Sequence, residues 1–130
     1  MTTANEICAR ALRMIGVAPI GQEPDAADAA LTLSTLNDVL HGFKARGADL
    51  SHTTLAAADT FALAAEYEGA IVDLLADRVA PHYGTMHPHQ SDVRRARQQI
   101  MNAYHVQAEQ TVDPGLALMP SQFWNLTGYR

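Results

Sequence analysis

Three histidines, His82, His87 and His89, fall close together in the segment PHYGTMHPHQ, and imidazoles a few residues apart can converge on a transition metal. No HExxH arrangement and no Cys accompanies them. Exposed loop histidines are the commoner origin of such spacing, so no metal or other cofactor is expected. Paired carboxylates are a second candidate chemistry, that of general acid–base catalysis. Glu66 and Glu68 are two apart and do not face each other on a helix, whereas Asp73 and Asp77 share a face. Nothing in the sequence supplies an apolar pocket around them, and the reading is a solvated or subunit-facing acidic stripe. A third candidate is phosphate contact by Arg94, Arg95 and Arg97. Three arginines in a chain of net charge −5 make a small footprint for nucleic acid. A helix turn that pairs with a neighbour's acids is the rival reading. No nucleophile elbow, Walker loop or GxGxxG occurs. No catalytic residue is assigned, and the chain is not expected to be an enzyme.

Four helices must position these groups. Thr3-Ala4-Asn5-Glu6 is a capping box and opens the first, which carries Ile7, Ala11, Leu12, Met14 and Ile15 and closes at Gly16. Residues 17–24 read as a loop from their Pro and Gly. Pro24 suits the first position of a second helix, whose stripe of Ala29, Leu33, Leu36, Leu40 and Phe43 runs to Gly47. From Ala48 to about Phe61 the pattern dissolves into a long connector with room for a short extended hairpin. The central helix is EYEGAIVDLLADRVAPHYG, residues 66–84. Tyr67, Ile71, Leu74, Leu75 and Val79 share its apolar face, and Pro81 is expected to stop it, with Tyr83 and Gly84 at the exit. Arg78 lies within the apolar arc, which calls for a snorkelling head or a buried pair with Asp38 or a neighbouring subunit's carboxylate. A fourth helix is expected from Ser91, as N-cap, to about Gln110, with Val93, Ala96, Ile100, Ala103 and Tyr104 inward.

Beyond Thr111 regular structure ends. The segment DPGLALMPSQFWNLTGYR holds Phe123, Trp124, Leu126, Tyr129 and Arg130. Aromatic clusters of this kind mark an interaction surface, so residues 111–130 read as an extended docking tail on a helical domain of residues 1–110. The fold class is thus all-α, a small bundle of about four helices with a long connector and an extended C-terminal tail.

The totals fit a subunit that completes its burial against neighbours. The 130 residues are 48% hydrophobic but only 6% aromatic, and Ala-rich helices approach closely while burying little area each. Charge is unevenly spread: Met1 to Asp77 holds 11 acidic and 4 basic residues, net −7, and Arg78 to Arg130 holds 3 acidic and 5 basic, net +2. Arranged head to tail, copies would bring acidic surface against basic. No run approaches bilayer length and the first residues show no export signal, so a cytoplasmic protein without membrane contact is expected. Lone Cys8 reads as a small buried hydrophobe.

Three motifs occur in order: Ala11-Leu12-x-x-Ile15-Gly16-Val17, then Leu33-x-x-Leu36-Asn37-x-x-Leu40 ending in Gly47, then Leu75-Ala76-x-Arg78-x-Ala80-Pro81-x-Tyr83-Gly84. Together they resemble the head-to-tail adaptors of tailed bacteriophages, also called tail accessory factors or packaged-DNA stabilisation proteins, found too in prophages and gene transfer agents. The likeness covers roughly residues 5–105, with Phe43 where the family often has Trp. The resemblance implies a helical subunit of a twelve-fold ring beneath the portal. That ring extends the DNA channel, retains packaged DNA without sequence-specific binding, and offers a platform for tail or stopper proteins. It also implies location in the virion neck after assembly in the bacterial cytoplasm. Phe123, Trp124, Leu126, Tyr129 and Arg130 would then meet the portal; Asp73, Asp77, Arg94, Arg95 and Arg97 would lie between subunits; Arg78, Pro81 and Tyr83 would be structural. The alternatives are a small helical DNA-associated or regulatory module, or an adaptor with accessory peptidoglycan-hydrolase activity from acids such as Glu66 or Asp73.

Overall fold

The computed structural model of the chain describes residues 1–106. Among them run four helices, α1 (Ala4–Met14), α2 (Ala26–Ala45), α3 (Ala65–Tyr83) and α4 (Gln90–Tyr104), and the fold is a small all-α bundle. α3 is its axis. α1, α2 and α4 all pack against it, α1 also packs on α2, while α2 and α4 scarcely touch each other. The sequence explains the central place of α3: Ala70, Ile71, Val72, Leu74, Leu75, Ala76, Val79 and Ala80 are buried on nearly every side of it. Its small residues let neighbours approach closely, and each fully buried Ile or Leu contributes about 2 kcal/mol.

The capping box forms as expected, with the Thr3 N–H donating to Glu6 Oε2 at 2.8 Å and the Glu6 N–H donating to Thr3 Oγ1 at 3.3 Å. α1 buries Ile7, Cys8 and Leu12. Burial pushes the Cys8 thiol up to about 12, so it stays a neutral packing group. Gly16 takes the left-handed conformation at φ 77° and turns the chain out of the helix.

α2 starts two residues beyond Pro24, with Asp25 as N-cap. Its buried stripe is Leu36, Leu40 and Phe43, joined by Thr32 and Thr35. Both hydroxyls are satisfied, donating to the Asp28 and Leu31 carbonyls at 2.7 and 2.9 Å.

Pro81 does not stop α3, contrary to expectation. It lies inside the last turn, and the helix runs on to Tyr83 before Gly84 caps it at φ 62°. A proline this near the end forfeits only the bond to the Asp77 carbonyl, which one remaining turn tolerates.

The connector forms no hairpin of its own. Its first residues bridge to the end of α4 (Ala48 with His105) and its last to the N-terminus (Thr3 with Thr60). Between them Asn37 of α2 clamps Leu55 by both backbone groups, its Nδ2 donating to the carbonyl at 3.1 Å and its Oδ1 accepting from the N–H at 2.8 Å. Ala48, Leu50 and Phe61 are buried beneath this wrap. The same contacts end α4 at Tyr104 rather than near Gln110. The Asp49 N–H takes the Tyr104 carbonyl at 3.0 Å and the Val106 N–H reaches the Gly47 carbonyl at 2.9 Å, which draws the chain into extended form. At its other end α4 is capped by His89, whose Nδ1 accepts from the Ser91 N–H at 3.4 Å, so Ser91 is inside the helix. Val93, Ala96 and Ile100 are buried as expected, but Ala103 is exposed. Tyr104 is half-buried, edge-on to Tyr67 at 5.4 Å between ring centroids.

Candidate interaction site: an arginine cleft

Because α2 and α4 both lie on α3 but barely meet, a furrow stays open between them. A cleft of about 120 Å³ occupies it, walled by Val39, Gly42 and Phe43 of α2, floored by Leu74, and rimmed by Asp38, Arg46, Arg78 and Arg97. The arginines come from three places, the C-cap of α2, the middle of α3 and the middle of α4. All three are exposed. None has a carboxylate within 4.0 Å among the described residues, where the ion pairs are Arg10 with Glu68, Asp77 with His87 and Asp92 with Arg95. Three guanidinium forks beside an apolar floor form a surface that favours a carboxylate or phosphate attached to an apolar body.

Of the arrangements open to Arg78, the fold makes the snorkelling head and not the pair with Asp38. Asp38 shares the cleft but stands too far off to bond it, and the head of Arg78 reaches water through the furrow. Tyr83, by contrast, is tied into the fold. Its hydroxyl donates to Asp28 Oδ1 at 2.8 Å and fastens the end of α3 to the start of α2. Burial, then the bond and charge of Asp28, push its pKa up to about 12.

The arginines of α4 separate. Arg97 turns into the cleft, Arg95 makes a loose 3.9 Å contact with Asp92, and Arg94 is exposed. Two of the four acids of α3, Glu68 and Asp77, are engaged within the chain. Asp77 accepts from Gln90 Nε2 at 3.1 Å and meets His87 Nδ1 at 3.0 Å, holding the turn between α3 and α4. Asp73 is half-buried, and burial first, with the Asp92 charge second, raises its pKa, against the lowering effect of Arg10. Nothing in the residue spacing signals that burial. Glu68 pairs with Arg10 at 3.3 Å, and Glu66 is exposed.

The loop histidines do not converge: His87 binds Asp77, His89 caps α4 and His82 is exposed. Among the described residues no group of three or more His, Cys, Asp and Glu is placed to hold a metal ion. A different pair does meet. His41 of α2 and His52 of the connector stand edge-on with centroids 4.5 Å apart. Burial, then His41, lowers the His52 pKa, and its buried Nε2 has no hydrogen-bond partner.

Sequence reasoning passed over Arg46, Asn37 and this histidine pair. A cation at a helix C-terminus, which Arg46 is, needs no binding site to account for it. Asn37 belonged to a recognised motif, and the only further sign was an amide in mid-helix beside the apolar stripe. Phe123, Trp124, Leu126, Tyr129 and Arg130 lie outside the described residues. Comparison of the chain with protein-family models, with curated proteins and with solved structures gives no match in any of the three.

Proposed function

We propose that the chain is a structural subunit of a bacteriophage-type head-to-tail adaptor. It assembles with copies of itself into a ring below a portal, extends the DNA channel, helps retain packaged DNA and carries tail or stopper proteins. In this reading it belongs to the virion neck and is assembled in the bacterial cytoplasm. One observation carries the proposal: three arginines from α2's C-cap, α3 and α4 rim one apolar cleft with no carboxylate within 4.0 Å among the described residues. A solitary chain gains nothing from that arrangement, and a neighbour's acid completes it. The three sequence motifs support the same reading through the frame. Gly16 and Gly84 end helices, Asn37 holds the connector and Tyr83 locks α3 to α2.

The test is truncation after residue 110. The shortened protein is expected to keep its helical circular dichroism and lose capture by portal rings from the same genome, since the aromatic residues are then gone. Undiminished capture would overturn the assignment of the tail.

The exposed Arg94 beside Arg97 favours one second reading, a DNA-associated module. It predicts a gel shift by the isolated chain that falls steeply with salt.

A further inference from the structure

We infer that the loop between α1 and α2 of one copy seats in the arginine cleft of the next copy, an inference that rests on the ring reading above. The loop has the complementary chemistry. Ile20 stands at its tip 93% exposed, on a turn closed by the Gln22 N–H to the Pro19 carbonyl at 3.3 Å with Gly21 at φ 83°. That is a type II turn, and glycine fits its third position because φ is positive there. Arg13 Nη2 donates to the Gln22 carbonyl at 3.2 Å and holds the loop against α1, so little ordering is left for docking. Two carboxylates follow. Asp25 occupies the N-cap position of α2 without making the side-chain cap bond, and Glu23 borders Arg10 and Arg13 with no ion pair inside 4.0 Å. The loop thus presents an exposed aliphatic tip and two carboxylates free of ion pairs. The cleft presents an apolar floor and three guanidinium groups against the single carboxylate of Asp38, a cationic excess of two.

Most other acids are occupied. Among the described residues Glu6 closes the capping box, Asp28 accepts from Tyr83, Asp49 and Asp59 accept backbone N–H groups, Glu68 and Asp92 meet arginines, and Asp77 bonds His87 and Gln90, which leaves Asp38, Glu66 and Asp73. Geometry forbids the loop from filling its own cleft. Asp25 flanks the start of α2, while the cleft runs from Asp38 to Arg46 at its other end, so at about 1.5 Å per residue the two features lie about 20 to 30 Å apart. Two separate patches, one giving and one receiving, make a head-to-tail contact that repeats from copy to copy and closes a ring when the rotation allows.

Cysteine cross-linking of the full chain tests this. A Cβ at Gly42, in the cleft wall, meets nothing within 4 Å, so Gly42→Cys is sterically tolerated, and buried Cys8 stays silent. With a short bis-maleimide at low salt, free or on portal rings, a mixture of Ile20→Cys and Gly42→Cys chains is expected to cross-link about tenfold more than either alone. Chains carrying both substitutions should give a ladder. Adding Glu23→Arg and Asp25→Arg to the Ile20→Cys chain should cut the yield about tenfold, and Arg78→Glu with Arg97→Glu in the Gly42→Cys chain should recover it. A mixture no better linked than its components overturns the inference. If rings still form on the portal in that case, the contact is wrong and the adaptor reading stands; if none form at any salt, that reading falls too. Thermal stabilisation by inorganic phosphate without cross-linking would make the cleft a small-anion site and overturn the contact equally.

Discussion

The two flanks of α3 treat charge in opposite ways. Toward α1, Arg10 meets Glu68 at 3.3 Å, and Asp73 nearby is half-buried, with the Asp92 charge raising its pKa and Arg10 lowering it. Toward the furrow between α2 and α4, Arg78 joins Arg46 and Arg97 with no carboxylate in reach among the described residues. Both flanks belong to one helix and rest on one core. The first pairs Arg10 with Glu68 inside the chain and contributes to the fold. The second leaves cationic groups unmatched, and since exposed cations cost the monomer almost nothing, the fold can hold them ready for another molecule. Substitutions on the two sides should therefore separate stability from assembly.

The largest effect belongs to the core that both flanks share. Leu75 is fully buried, and Leu75→Ala should cost about 3 kcal/mol, read as a lower urea midpoint with little change in slope. A loss below about 1 kcal/mol would show that α3 is not the common support of the two sides.

Next comes Asn37, which serves the settled part of the molecule from the helix that walls the open cleft. Asn37→Ala leaves the Leu55 N–H and carbonyl without their partner and should cost about 1 to 2 kcal/mol. Hydrogen exchange at Leu55 should accelerate before that of the α3 amides, because the connector opens locally. Equal acceleration in both would mean that connector and bundle open as one unit.

Tyr83→Phe sharpens the comparison further, since it removes one internal bond at the end of α3 and leaves the cleft intact. The expected cost is about 1 kcal/mol below pH 10. The phenol's pKa rises from its ordinary 10.0 to about 12 in the folded state. Its contribution is therefore complete below pH 10 and is lost as pH climbs through 12. Denaturation curves of the two proteins should converge over that interval, and a difference unchanged at pH 12 would contradict the Asp28 bond.

The sequence disclosed what local pattern controls. The capping box, the apolar face of α3 and the Gly84 exit are set by residues within a turn or two of each other, and the fold contains all three. It misjudged what distant segments decide. α4 ends early because the connector, some fifty residues earlier, takes up the backbone at Tyr104 and Val106. Pro81 was read as a stop because the rule applies to helix interiors, while its effect fades in a last turn. At the site, Arg78 was conspicuous for lying in an apolar arc. The sequence left a snorkelling head and a buried pair both open, because periodicity along one helix cannot show that two neighbouring helices leave a gap over it. Arg46 and Arg97 join it only through the crossing of three helices, which no spacing in the chain encodes.

The smallest expected effect on stability is the sharpest test of the contrast between the flanks. Arg10→Ala breaks a partly exposed ion pair and should cost a few tenths of a kcal/mol up to about 1, falling with added salt as screening grows. Arg78→Ala breaks no ion pair among the described residues, and its isolated stability should change by less than about 0.5 kcal/mol. Ring formation should respond in the reverse order: Arg10→Ala assembles like the parent, whereas Arg78→Ala requires more protein to assemble. The reversal matters because a general loss of folding would weaken assembly in proportion to stability, and only a cation kept for another molecule lowers one without the other. Chemical denaturation beside native mass spectrometry of both variants reads the two quantities together. If Arg78→Ala destabilised the chain as much as Arg10→Ala and left the oligomer distribution untouched, the open flank would be part of the fold after all, and the distinction between the two sides of α3 would disappear.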